Sequence, residues 1–143
     1  MNKIFPDNFI KLVLMTSIWV NISEVFRYFL IVMPTMREEL ASISNVAPMD
    51  WWIFSIWGLW DTILTASIVF ITWLCYKSFG TGKRTILIAG TISWGMFFLL
   101  FWIGMVNMNL ANPTLLIVTL PLCLLETMVA AWITIKLIDK YHA

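Results

Sequence analysis

The sequence predicts an all-α integral membrane protein, a bundle of four transmembrane helices, and three observations support this fold class. Hydrophobic residues make up 61% of the 143 residues and charged residues only 12%, roughly half the charged share of soluble domains. Four apolar stretches reach the roughly 20 residues with which a helix crosses the hydrocarbon core of a bilayer. Basic residues also lie almost entirely on one side of these stretches.

We expect a single domain over residues 1–143. Its predicted spans are about 9–33, 51–76, 85–106 and 114–138. Barrel strands are an unsuitable alternative, because they are half as long and alternate polar with apolar residues. Pro34 is expected to end the first helix, since proline disrupts helical hydrogen bonding. No small-residue cleavage pattern follows the first stretch, so it is expected to be retained.

The basic residues predict the orientation. On one side lie Lys3, Lys11, Lys77, Lys83, Arg84, Lys136 and Lys140. On the other side Arg37 stands alone beside Glu38, Glu39 and Asp50. By the positive-inside rule, both termini of this multi-pass protein are predicted to be cytoplasmic.

The predicted outer loop, residues 34–50, has a pattern of its own. Thr35-Met36-Arg37-Glu38 matches a capping box, which predicts a short interfacial helix through about Ala41. That helix either covers the outer surface as a lid or simply connects the first two spans.

Four ionisable residues lie inside the predicted spans: Glu24, Arg27, Asp61 and Glu126. Each opposes insertion by about 2.5–3.5 kcal/mol near the bilayer centre, so such residues face the protein interior and usually pair. At the helical rise per residue, Glu24 and Asp61 lie roughly 14 Å below the outer boundary, with Glu126 a few ångströms deeper. The three acids are therefore predicted to meet in one layer.

Helical spacing predicts which side chains share the interior with these acids. On the first helix the predicted inward stripe is Ser17, Asn21, Glu24, Arg27 and Tyr28, with Trp19 and Val20 on the lipid side. The second and fourth helices contribute Trp57, Trp60, Asp61 and Thr65, and Thr119, Cys123, Glu126 and Ala130. On the third, Trp94 and Trp102 are expected to close a pocket that Asn107 caps from outside.

One arginine can neutralise one acid and share a second, so at least one carboxyl is expected to be protonated or to meet a cation. The cluster is either a functional site or polar glue, and interhelical polar contacts of about 0.6 kcal/mol are too weak to explain three acids. The predicted catalytic residues are Asp61, Glu24 and Glu126. The predicted substrate-binding residues are Arg27, Asn21, Tyr28, Trp57, Trp60, Trp94 and Asn107.

Three functions fit this pattern. The first is an intramembrane acid/base enzyme that isomerises, cyclises or opens an epoxide of a lipophilic small molecule. The second is a small proton-coupled transporter of organic cations, and the third is an accessory subunit of a membrane complex. Membrane lipids and a second copy of the chain are the further expected partners.

Other classes of function find no support in the sequence. A net charge of +1 gives no reason to expect nucleic-acid binding. A single histidine predicts no metal site, and no motif predicts a cofactor. Cys75 and Cys123 fall at different predicted depths, which argues against a disulfide.

Overall fold

The computed structural model describes residues 8–39 and 50–142, and every regular element within them is helical. The elements are α1 (Phe9–Arg27), the π-helical segment π1 (Tyr28–Val32), α2 (Met33–Glu39), α3 (Trp51–Phe79), α4 (Lys83–Ser93), the π-helical segment π2 (Trp94–Leu99), α5 (Leu100–Asn107) and α6 (Pro113–His142). Helix I comprises α1, π1 and α2; helix II is α3; helix III comprises α4, π2 and α5; helix IV is α6. All four are long and apolar enough to cross a membrane, which confirms the predicted number of helices of spanning length.

The prediction that Pro34 ends the first helix is wrong, because helix I continues to Glu39. A proline ring in a helix clashes with the carbonyl four residues earlier, here that of Leu30. Leu30 lies in π1, where the wider turn gives the ring room. Thr35 is not an N-cap either, since its hydroxyl donates to the Ile31 carbonyl at 3.1 Å. Ala41 and the rest of the predicted loop from residue 40 to residue 49 lie outside the described residues.

The other helix ends follow from local chemistry. Asp50 caps helix II, where its carboxylate accepts from the Ile53 N–H at 2.8 Å. Gly80 and Gly82 separate helices II and III with φ angles of 72° and 151°, which glycine adopts without steric penalty. Before helix IV the carboxamide oxygen of Asn112 accepts from the Thr114 N–H at 3.0 Å.

Helices II and IV pack against each other, and each also packs against α1 and against α4. Lys11 near the start of helix I lies over the ring of Tyr141 near the end of helix IV, 4.2 Å from its centroid. The two ends of the described chain therefore meet. We call this end of the bundle the basic end, because it carries Lys11, Lys77, Lys83, Arg84, Lys136 and Lys140.

At the opposite end, helix II has little protein around it. Every residue from 51 to 60 is exposed except the half-buried Ile53. Buried residues of helix II begin at Asp61 and continue through Leu64 and Thr65. Within residues 8–39 and 50–142, helix II is thus enclosed by protein only from the level of Asp61 towards the basic end.

Candidate functional site

Arg27 brings together two of the predicted acids. Its Nη2 donates to Oε1 of Glu24, one turn earlier in α1, and lies 3.6 Å from Oε2 of Glu126 on helix IV. The side chains of Arg27 and Glu126 are 6% and 0% exposed, whereas that of Glu24 is 21% exposed. We call these three residues the carboxylate–arginine cluster.

Two further residues of α1 hold Glu126 in place. The Ser23 hydroxyl donates to Oε2 of Glu126 at 2.7 Å, and the Trp19 indole donates to the backbone carbonyl of Glu126 at 3.1 Å. Sequence reasoning missed both and assigned Trp19 to the lipid side. The signal was present, because Trp19, Ser23 and Arg27 recur every four residues and so share a helix face.

The inward stripe predicted for the first helix is therefore misplaced. Val20, predicted to face lipid, is fully buried in the main hydrophobic cluster. Thr16 is also fully buried, beside Thr134 of helix IV at 3.3 Å between hydroxyl oxygens. The true inward face is displaced from the predicted one by about one residue, or roughly 100° of helix rotation.

Helix III contributes an aromatic surface to the cluster. The Arg27 guanidinium carbon lies 4.9 Å from the centre of the Phe98 ring, a cation–π contact that favours the cation away from water. Phe98 lies in π2, and Arg27 immediately precedes π1. Both π-helical segments thus flank the cluster, a feature frequently found at functional sites.

Two polar atoms of the cluster are buried without a partner among the described residues: Oε1 of Glu126 and Nε of Arg27. The Glu24 carboxyl lies close enough to the Glu126 carboxyl to interact with it electrostatically. A buried polar atom without a partner costs about 1–3 kcal/mol, and more when charged. A proton shared between these two carboxyls would give Oε1 of Glu126 the hydrogen-bond donor that it lacks.

Asp61 lies at the edge of the cluster. It is 8% exposed and interacts electrostatically with Glu24 and Arg27, although it forms no ion pair with a described residue. The Thr65 hydroxyl donates to the backbone carbonyl of Asp61 at 2.7 Å and not to its carboxyl. The structure therefore brings the three predicted acids together, with Asp61 as the unpaired member.

A comparison of this chain with protein-family models, curated proteins and solved structures finds no match. Among the described residues, no group of three or more histidine, cysteine, aspartate or glutamate side chains is arranged to hold a metal ion. The carboxyls and the guanidinium of the cluster are groups that can exchange protons and bind polar organic groups.

Asn21 and Tyr28 were predicted to bind substrate beside the acids. The Asn21 amide instead donates to the Ser17 carbonyl of its own helix at 2.8 Å. Tyr28 packs edge-on against Phe29, with 5.0 Å between ring centres. Both side chains are half-buried, and no described hydrogen bond joins either to the cluster.

Four further residues were predicted to bind substrate: Trp57, Trp60, Trp94 and Asn107. Trp57 and Trp60 are 46% and 49% exposed, so they lie on an open surface. Both closely precede Asp61 in the sequence. The Trp94 indole donates to the Leu120 carbonyl at 2.9 Å. Asn107 is exposed at the end of α5, nine residues beyond Phe98, which is roughly 14 Å of helix. It does not cap the cluster.

Proposed function

We propose that this chain is a multi-pass membrane protein with both termini in the cytoplasm, and that its carboxylate–arginine cluster performs acid/base chemistry on a lipophilic small molecule. The lysines and arginines of the basic end support this orientation, since cytoplasmic ends carry the excess of such residues. One observation carries the proposed chemistry: Arg27 stands between two carboxyls, and Oε1 of Glu126 is buried with no donor from the described residues.

The charges of the cluster divide the two carboxyls into an acid and a base. One guanidinium neutralises one carboxylate, and two neighbouring buried carboxyls are stable together when they share one proton. Glu126, fully enclosed, holds that proton as the general acid. Glu24, partly exposed and joined directly to Arg27, stays ionised. Asp61, to which no described side chain donates, is the second base.

These roles fit reactions that begin with protonation of an apolar substrate. For an epoxide, the proton held by Glu126 passes through the partly exposed Glu24 carboxyl to the ring oxygen as a C–O bond breaks. Water forms the new C–O bond and gives its proton to Asp61, and the product is a diol. For an alkene, the proton adds to one carbon and Asp61 removes another from a neighbouring carbon, which shifts the double bond. Each sequence is atom-balanced and uses a positioned acid and base.

The exposed outer half of helix II supports access from the bilayer. Trp57 and Trp60 precede Asp61 by four residues and one residue, and both are half exposed. Indole rings at this level bind apolar and cationic groups on their faces. A lipophilic molecule can therefore approach Asp61 without crossing water.

The shared proton is directly testable. We expect wild-type protein at pH 7 to show the infrared carbonyl stretch of a protonated carboxyl, and Glu126→Gln to lose it. Asp50→Asn, which changes an exposed cap outside the cluster, is the matched control and should retain the band. An identical spectrum for wild type and Glu126→Gln would disprove the shared proton.

Isotope labelling tests the enzymatic function. Wild-type protein in lipid nanodiscs is incubated with a lipid extract of its expression host and with terpenoid epoxides, in D2O or in H2¹⁸O. We expect ¹⁸O in diols or deuterium at carbon, and a loss of at least 100-fold in Glu126→Gln and Asp61→Asn, the usual size of a general acid or base contribution. Equal product formation by wild type and both variants would refute the proposal.

A transporter of organic cations is the second candidate. The unpaired Asp61 favours it, because three carboxyls face one arginine and the half-exposed Trp57 and Trp60 lie nearby in sequence. In that case, adding a quaternary ammonium compound to proteoliposomes would move protons, and Asp61→Asn would stop the movement. Labelled product without proton movement would favour the enzyme.

A further inference from the structure

A pocket of about 410 Å³ lies at the basic end, between the start of helix III and the last turns of helix IV. Its lining residues are Thr81, Gly82, Lys83, Ile86, Trp132, Ile135, Lys136 and Asp139. This volume falls within the range of small-molecule sites. The carboxylate–arginine cluster contributes none of the lining residues, so the pocket is a separate feature.

The polar part of the pocket is cationic. Lys83 and Lys136 are exposed, and neither forms an ion pair or hydrogen bond with a described residue. Asp139, half-buried, is the carboxylate that lines the same pocket. Two ammonium groups and one carboxylate leave one net positive charge, which matches one phosphodiester anion.

The apolar part of the pocket lies beside these charges, on the side away from the basic end. Trp132 is 49% exposed and lies one helical turn before Lys136. Indole rings concentrate at the level of lipid headgroups, and basic pockets between transmembrane helices bind anionic headgroups there. Ile86 and Ile135 continue the apolar lining, so the pocket is polar on one side and apolar on the other, as a lipid is.

We infer that this pocket is a binding site for an anionic glycerophospholipid, with the phosphodiester between Lys83 and Lys136 and the glycerol backbone and first acyl carbons against Trp132. A hydroxyl-bearing headgroup such as phosphoglycerol donates to Asp139. The inference depends on membrane insertion but not on the acid/base chemistry, so Glu126→Gln must retain full lipid binding.

The test is native mass spectrometry of the full chain in detergent, titrated with phosphatidylglycerol or phosphatidylcholine. Lys83→Gln/Lys136→Gln is compared with Lys77→Gln/Lys140→Gln, which removes the same charge from the same end outside the pocket. We expect one phosphatidylglycerol per chain, bound roughly thirtyfold more weakly by the pocket variant, since each lysine contributes about 1 kcal/mol and 1.4 kcal/mol is tenfold. The other variant should stay within about twofold of wild type.

Three results would overturn the inference. Equal weakening by both double variants would show diffuse charge attraction in place of a site. Equal affinity for phosphatidylcholine would show that the headgroup charge is not recognised. Displacement of phosphatidylglycerol by inorganic phosphate alone would show that the pocket takes free phosphate. Thermal unfolding of both double variants at the wild-type temperature ensures that a change in lipid binding does not reflect misfolding.

Discussion

Replacing Arg27 with leucine is expected to destabilise the protein by about 3–5 kcal/mol, the usual effect of removing one partner from a buried ion pair. The guanidinium joins Glu24 and Glu126 and stacks on Phe98. Without it, the Glu24 carboxylate loses its counter-charge beside the buried Glu126 carboxyl. Reversible unfolding of wild type and Arg27→Leu in mixed micelles, titrated with sodium dodecyl sulfate, measures the difference.

Two further variants test whether the loss of stability comes from the buried ion pair. Arg37→Leu removes an exposed arginine from the same helix and should change stability by no more than about 0.5 kcal/mol. Arg27→Leu combined with Glu24→Gln should recover much of the loss, because it removes charge from both sides of the pair. A loss near 0.6 kcal/mol for Arg27→Leu, with no recovery in the double variant, would identify the cluster as ordinary interhelical polar contact.

The four spans could be predicted because each rests on a long uninterrupted apolar sequence, a signal that depends on length more than on detail. The end of the first helix could not be predicted, because the turn before Pro34 decides whether the helix ends or continues there. A proline ends a regular α-helix, but π1 changes the hydrogen-bond register immediately upstream, where the Met33 N–H bonds to the Tyr28 carbonyl. No pattern in the local sequence predicts that change of hydrogen-bond register.

The meeting of Glu24 and Glu126 could be predicted by counting residues from the membrane boundary, since helical rise is nearly constant. The direction of the surrounding side chains was harder to predict. Lipid tails are as apolar as a protein core, so apolar Val20 could lie on either side. The recurrence of Trp19, Ser23 and Arg27 every four residues was the more reliable guide, because each has a polar group that needs a partner.

Phe98 and the partial enclosure of helix II were beyond sequence reasoning. Phe98 reaches Arg27 from a π-helical segment, whose inserted residue rotates the following side chains relative to a regular helix. Trp57 lies one turn before Asp61 and Trp60 lies beside it, so both were expected to share the interior with it. Among the described residues, however, helix II is surrounded by protein only from Asp61 onward. Spacing along one helix specifies direction, whereas enclosure depends on where the neighbouring helices end.

Helix III packs closely against helix IV at Gly90, and we expect Gly90→Ala to destabilise the protein by about 1–3 kcal/mol. A Cβ added there would lie 2.6 Å from Sδ of Met128 and 3.1 Å from its Cα. The sulfur can move, but the Cα belongs to the backbone of helix IV. Small residues allow this close approach between membrane helices, and the buried Ala89 and Ala131 continue the contact. The same detergent titration measures the loss.

Gly95→Ala is the matched control, because a Cβ at that position meets nothing within 4 Å. It should be neutral or slightly stabilising, since alanine favours the helix over glycine. Met128→Ala in the Gly90→Ala background removes the sulfur contact and leaves the backbone contact, so it should restore only part of the stability. Full restoration would place the whole conflict in the Met128 side chain. Wild-type stability of Gly90→Ala would mean that helices III and IV can separate slightly at no cost, contrary to close packing at this point.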